Sequence, residues 1–339
     1  MSSAPPNALA RVVREFFSDH LPRLRGLSPH TLHSYRDSLT LLLRFMVSHR
    51  GRSVAALDLH DIEIEDVIAF LQYLEEDRHN SVATRNVRLA ALHAFFRYAA
   101  LSDPEQLSRS QRILHIPFKR ASQRSIQYLE YDEIDAVLNA VDRATREGRR
   151  DYAMLATMFN TGARVQELLD IRACDLQLAK PFQVRLVGKG SKERLCPLWP
   201  QTAAVLGDLC ADYQLDVRAP VPIFLNHRGQ RLTRFGARYI LVKYVDRARA
   251  AAPALENKRL HPHSMRHSTA VHLLKSGIDL STIGQWLGHA SVNTTNQYAT
   301  LDLDMKRQAL ACVDPPARAT RAAAKWRHDT TLLEWLEAL

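Results

Sequence analysis

Six side chains between positions 164 and 298 suit a single reaction: Arg164, Lys189, His263, Arg266, His289 and Tyr298. Arginine is a permanent planar cation matched to phosphate oxygens. Histidine donates hydrogen bonds or moves protons near neutral pH. A lysine in a polar turn can protonate a leaving oxygen, and tyrosine offers a nucleophilic phenol. No acidic cluster accompanies them to hold magnesium. The set is an inventory for metal-free attack on a phosphodiester, where charge building on non-bridging oxygens is met by fixed cations. It closes in GHASVNTTNQYAT (288–300), where Tyr298 follows His289 by nine positions.

Each residue also has a plainer reading. Arg164 follows a glycine at a helix junction and could pair with Glu167. Lys189 lies in a turn, where exposed lysines are common. GKGS is not a phosphate-binding P-loop, because no glycine stands five residues before Gly188 and Gly190 takes the Ser/Thr position. His263 and His267, four apart in HPHSMRH, lack the adjacent glutamate of a zinc protease, and no metal is expected. The four cysteines have no metal-ligand spacing and read as small buried hydrophobes.

The 339 residues are enough for two domains, each with its own core. A net charge of +10 favours a polyanionic partner, and no segment has the amphipathic form of a membrane-surface helix. Neither a signal peptide nor a spanning run is evident, so a cytoplasmic protein is expected. Residues 1–103 read as a helical bundle built from 8–21, 28–49, 63–77 and 81–102, with Ser28 as N-cap and Pro29 in the first turn. Arg85, Arg88 and Arg97 fall outside the apolar stripe of the last helix and are candidate phosphate contacts. The polar, basic stretch 104–127, with Lys119 and Arg120, reads as a linker able to lie along a phosphate backbone. Residues 128–311 read as a mostly helical domain with one small hairpin, 182–187 and 193–198, around GKGSK. The tail 312–339 ends in TTLLEWLEAL, an amphipathic segment too short to stand alone.

The ordered set Arg, Lys, His-x-x-Arg, Gly-His, Tyr resembles the tyrosine recombinase (phage integrase) family, near its Xer-like branch. ARVQELLDI is similar to the segment of the first catalytic arginine, Arg164. VGKGSKERLCPL is similar to the hairpin of the catalytic lysine, Lys189. PHSMRHSTAVHLL matches the box that gives His263 and Arg266. LGHASVNTTNQY matches the box that gives His289 and the nucleophile Tyr298. The likeness spans 128–310 and is weaker over 8–102, which is similar to the family's core-binding domain. Met265 replaces a usual leucine, a change that conserves volume. Ala299-Thr300 replaces a frequent Thr-His, and the tail extends past the end of compact Xer proteins, more like recombinases of transposons.

The resemblance implies a mainly α fold with a small β element. It also implies a site-specific recombinase of the cytoplasm, acting on the bacterial nucleoid. Tyr298 would form a 3′-phosphotyrosyl link, with His263 as general base or relay, Arg164, Arg266 and His289 on the phosphate, and Lys189 as general acid. Neither cofactor nor metal would be needed. The partners implied are duplex DNA with paired sites and further protomers, two per site and four per synapse, with partner recombinases as an option. The outcome would be integration, excision or transposition. The competing readings are a non-catalytic DNA-binding accessory protein and a type IB topoisomerase-like relaxase.

Overall fold

The computed structural model describes residues 7–121, 126–289, 292–296 and 298. The chain divides into two units between residues 124 and 125. In the first unit, α1 (Ala8–Glu15) widens into a π-helix over Phe16–Leu24. It is followed by α2 (Pro29–Arg50), α3 (Ile64–Glu76), α4 (Val82–Ser102) and α5 (Leu107–Leu114). The ends follow from local chemistry. Ser28 and Ser81 accept from the amides of Thr31 and Thr84, and Gly51 ends α2 in the left-handed conformation. The apolar faces meet in a core that includes Phe16, Leu42, Phe70, Leu92 and Phe95.

The stretch 104–127 is not simply a linker. Helix α5 lies within it, and Ile113 and Ile116 are buried in the first unit's core. Too few of its residues are apolar for a helical period to stand out in the sequence.

The second unit begins with α6 (Tyr131–Asn139), α7 (Arg146–Thr161) and α8 (Val165–Leu169). A three-stranded antiparallel sheet follows: β1 (Leu176–Gln177), β2 (Gln183–Val187) and β3 (Glu193–Pro197), in the order β1-β2-β3. The expected hairpin therefore carries an extra two-residue edge strand. Val187 pairs with Glu193, and the loop between them holds Lys189. The remaining α-helices among the described residues are α9 (Pro200–Asp212), α10 (Arg234–Ala248), α11 (Pro262–Lys275), α12 (Leu280–Leu287) and α13 (Val292–Asn296). Helix α11 is fixed to its neighbours by polar bonds. Thr269 Oγ1 donates to Phe159 O at 2.7 Å, and Leu129 N donates to Ser268 Oγ at 2.8 Å. Cys196 and Cys210 are buried, whereas Cys174 is exposed; Cys312 and the leucine-rich segment 330–339 lie outside the described residues. Among the described residues no helix is long and apolar enough to cross a membrane.

Gly162 ends α7 at φ +59, where an added Cβ would lie 2.5 Å from Leu287 Cδ2 and 3.2 Å from Thr269 Cβ. Gly51 has a similar φ of +65 with nothing within 4 Å. Gly51→Ala should lose only the backbone term, about 1–2 kcal/mol. Gly162→Ala adds overpacking of about 1–3 kcal/mol. Denaturant unfolding of the two variants checks this difference, and equal losses would refute the packing role given to Gly162.

Candidate active site

The second unit brings four chain segments to one place. The first is the junction of α7 and α8. Gly162 turns the chain there, and Arg164 precedes α8 in extended conformation. Glu167, one turn into α8, accepts from the Arg164 amide at 3.0 Å and from Arg164 Nη1 at 2.7 Å. The plain reading of Arg164 as a partner of Glu167 is therefore correct as far as it goes. Yet Arg164 also donates through Nη2 to Gly288 O at 3.3 Å, and its side chain is 37% exposed.

The second segment is the β2–β3 loop. Gly188 N donates to Lys192 O at 2.8 Å, and Gly190 has φ +74, which closes a tight turn with Lys189 at its tip. The Lys189 side chain lies outside the described part of the structure. From β3, Arg194 reaches inward: Nη2 donates to Glu167 Oε2 at 2.7 Å and Nε to Trp286 O at 3.0 Å. Both oxygens of Glu167 are thus bonded to arginines.

Helix α11 supplies the third segment. Arg266 is buried, and it donates through Nη1 to Gly162 O and through Nη2 to Leu287 O, each at 2.7 Å. His263 lies one turn earlier and is exposed to solvent. The rings of His261 and His263 are 6.3 Å apart and those of His263 and His267 6.1 Å.

The fourth segment runs from the end of α12 through α13. Gly288 is left-handed, and the Arg194 guanidinium occupies the space where a side chain would be. His289 Nδ1 bonds to Thr295 Oγ1 at 2.8 Å, and its ring lies parallel to that of Tyr298 at 6.4 Å. Tyr298 is fully buried. Its hydroxyl is 2.8 Å from Nδ1 of His267, not of His263.

The electrostatics follow from this crowding of cations. Burial, then the like charge of Arg164, pushes Arg266 down to about 10 despite the opposing pull of Glu167. Burial and the charges of Arg266, Arg164 and Arg194 push His289 down to about 4. Burial, then His263, His261 and Arg266, pushes His267 down to about 4. Both rings are neutral at physiological pH, so each can accept on one nitrogen while donating on the other. Desolvation alone would raise the carboxyl of Glu167, but bonds and charge from Arg194 and Arg164 outweigh it and hold it low. Three guanidiniums around one carboxylate make a site short of negative charge, which an anion would complete.

Of the expected site residues, Arg164 and Arg266 meet at the end of α12 through Gly288 O and Leu287 O, His289 follows that end with its ring parallel to Tyr298, and His263 is on the same helix as Arg266. Three further residues join the cluster without a motif to mark them: Glu167, Arg194 and His267. Strand alternation carried a signal for Arg194, which shares the inward face of β3 with buried Cys196. His267 shares a helix face with His263, a pairing weighed only for zinc.

The candidate DNA contacts divide. Arg97, Lys119 and Arg120 are exposed, with Lys119 paired to Glu75 at 2.7 Å. Arg88 is half-buried. Arg85 is a correction. It is buried at 5% exposure and donates to Pro117 O at 3.0 Å, a structural use that its place outside the apolar stripe concealed.

Glu167 is nearly inaccessible, so Glu167→Gln leaves Arg194 without its counter-charge. Removing one partner of a buried pair should destabilise this unit by roughly 3–5 kcal/mol. Thermal unfolding of the variant measures it, and an unchanged transition would show that the bridge contributes nothing.

The phage integrase family profile matches residues 127–304, and the N-terminal SAM-like domain of phage integrases matches 15–102. A putative integrase/recombinase of Sinorhizobium fredii is 39% identical over 98% of both chains. Tyrosine recombinase XerC of Pelobacter propionicus is 32% identical over 89% of this chain and 95% of its own. Among solved structures, a Tn1549 transposon integrase in complex with transposon right end DNA superposes with TM-score 0.67. It is 15% identical and covers 88% of this chain and 98% of that one, a likeness of fold. The chain belongs to the phage integrase family, the tyrosine recombinases.

Proposed function

We propose that this recombinase cleaves duplex DNA through Tyr298, forming a 3′-phosphotyrosyl link and freeing a 5′-hydroxyl. The observation that carries the reading is the convergence of Arg164, Arg266 and His289 beside Tyr298 in a site with surplus positive charge. A phosphodiester is the anion that suits it. Planar guanidiniums match its non-bridging oxygens, and neutral His289 donates a further bond. Lys189, at the tip of a short hairpin, would protonate the leaving 5′-oxygen. The phosphotyrosyl bond keeps the energy of the broken linkage, so rejoining needs neither a nucleotide nor a cofactor.

Duplex DNA is supported as substrate by the net charge of +10 and by the transposon integrase solved on its DNA end. Transposition or integration of a mobile element is favoured by that neighbour and by the integrase/recombinase relative. Exposed Arg97 and Arg120 would contact phosphates, and further protomers would assemble on paired sites. The cytoplasm is the compartment where such DNA is met.

The test begins with a randomised duplex pool from which Tyr298→Phe protein selects its site. On a nicked copy of that site, wild-type protein should form an SDS-resistant adduct and Tyr298→Phe none, with equal binding. Arg164→Ala should slow adduct formation by about 10²–10³-fold. An adduct with Tyr298→Phe would assign the nucleophile elsewhere. Relaxation of plasmids lacking paired sites would instead favour a relaxase, and absence of any wild-type adduct an accessory protein.

A further inference from the structure

The phenol of Tyr298 must lose its proton to attack phosphorus, and the structure places an imidazole nitrogen against it. We propose that His267 is a catalytic residue, the acceptor of the Tyr298 proton during cleavage and its donor during rejoining. This rests on the proposed role of Tyr298 as nucleophile.

The geometry narrows the choice. His267 Nδ1 is 2.8 Å from Tyr298 Oη, hydrogen-bonding distance for a phenol and an imidazole. Tyr298 is fully buried, which limits access of bulk water to its hydroxyl. His289 already engages Thr295 through Nδ1, and its ring is parallel to the tyrosine at 6.4 Å. His263 is exposed, and its ring is stacked 6.1 Å from that of His267, whose Nδ1 is the atom at the phenol. A general base acts from hydrogen-bond reach of the proton it takes, and His267 meets that condition.

The proton balance is simple. With its own hydrogen on Nε2, His267 presents the Nδ1 lone pair to Oη–H. The O–H bond breaks toward Nδ1 as Oη bonds to phosphorus. The P–O5′ bond breaks, and the 5′-oxygen takes a proton, from Lys189 on the proposed reading. Rejoining runs the same steps backward, so His267 ends neutral again.

The groups facing His267 set its basicity. On its own helix these are His263 and Arg266, before the helix His261, from the end of α12 His289, and from beyond α13 Tyr298 itself. All but Tyr298 are cationic or can become so, and without DNA they keep the ring neutral and ready to accept. A scissile phosphate between Arg164 and Arg266 adds the negative charge that favours the imidazolium. The base therefore strengthens when substrate arrives.

Two substitutions separate proton transfer from mere positioning. His267→Asn places an amide oxygen near the position of Nδ1, able to accept the hydrogen bond but not the proton. His267→Ala removes both functions. Adduct formation in single turnover, on the nicked duplex that wild-type protein cleaves, should fall by about 10²–10³-fold in both variants near pH 7. The lost rate should return tenfold per pH unit toward the phenol pKa of about 10, whereas the wild-type rate is nearly flat over the same range. A fluorotyrosine at position 298, with a more acidic phenol, should restore part of the rate in His267→Asn and change wild type little. DNA binding and melting temperature are measured alongside, and the fluorotyrosine comparison in otherwise wild-type protein stands even where a variant folds poorly. A wild-type rate in His267→Asn, or a loss independent of pH, would overturn the proposal. So would the same pH signature in His263→Asn instead. Failure of wild type to form any adduct would count against the nucleophile assignment, a distinct result.

Discussion

A full positive charge carried into the interior and held there by carbonyls is the constraint around which the second unit is arranged. Arg266 donates to Gly162 O and Leu287 O, atoms at the C-terminal ends of α7 and α12. Helix C-termini carry partial negative charge, so two dipoles solvate the guanidinium without neutralising it. An uncompensated buried ion costs several kcal/mol, and a carboxylate in the same place would cost less while cancelling the field. The carbonyls can reach the guanidinium only because Gly162 and Gly288 turn the chain left-handed immediately after their helices. The same two turns deliver Arg164 and His289. Position and charge therefore come from one local device.

Glu167 divides its two oxygens between Arg164 and Arg194, which come from segments 30 residues apart by way of an α-helix and a sheet. That bridge ties β3, and with it the hairpin of Lys189, to the arginine of the α7–α8 junction. Arg194 then ties both to Trp286 O near the end of α12. The cluster has three guanidiniums and one carboxylate, and the surplus remains where the α7, α11 and α12 ends meet. The donors of such a site are fixed before an anion arrives, which is the sense in which such centres are preorganised.

Much of this was legible in the sequence because it is local. Ser28 and Gly162 mark helix ends through bonds to residues three or four away, and the hairpin announces itself by two short β-like runs around GKGSK. Tyr298 and the arginines stand out in the sequence because their chemistry belongs to the side chain itself and their order matches a family. What escaped was relational. Arg85 looked like surface charge because nothing in its own helix reveals that Pro117 O, 32 residues on, is its partner. Helix α5 has too few apolar positions for its period to register, and β1 is two residues long. His267 and Tyr298 are 31 positions apart, and only folding shows that they touch.

The burial of Tyr298 has a consequence for the fate of the broken strand. A phosphodiester linkage to a phenol is an activated ester, and water competes with the 5′-hydroxyl for it. On the proposed role of Tyr298 as nucleophile, its burial against α11 and α12, with its oxygen against a neutral imidazole, keeps that competitor at low local concentration. On that reading strand joining would prevail over hydrolysis by exclusion, and the fidelity of the reaction would be in part a property of the core.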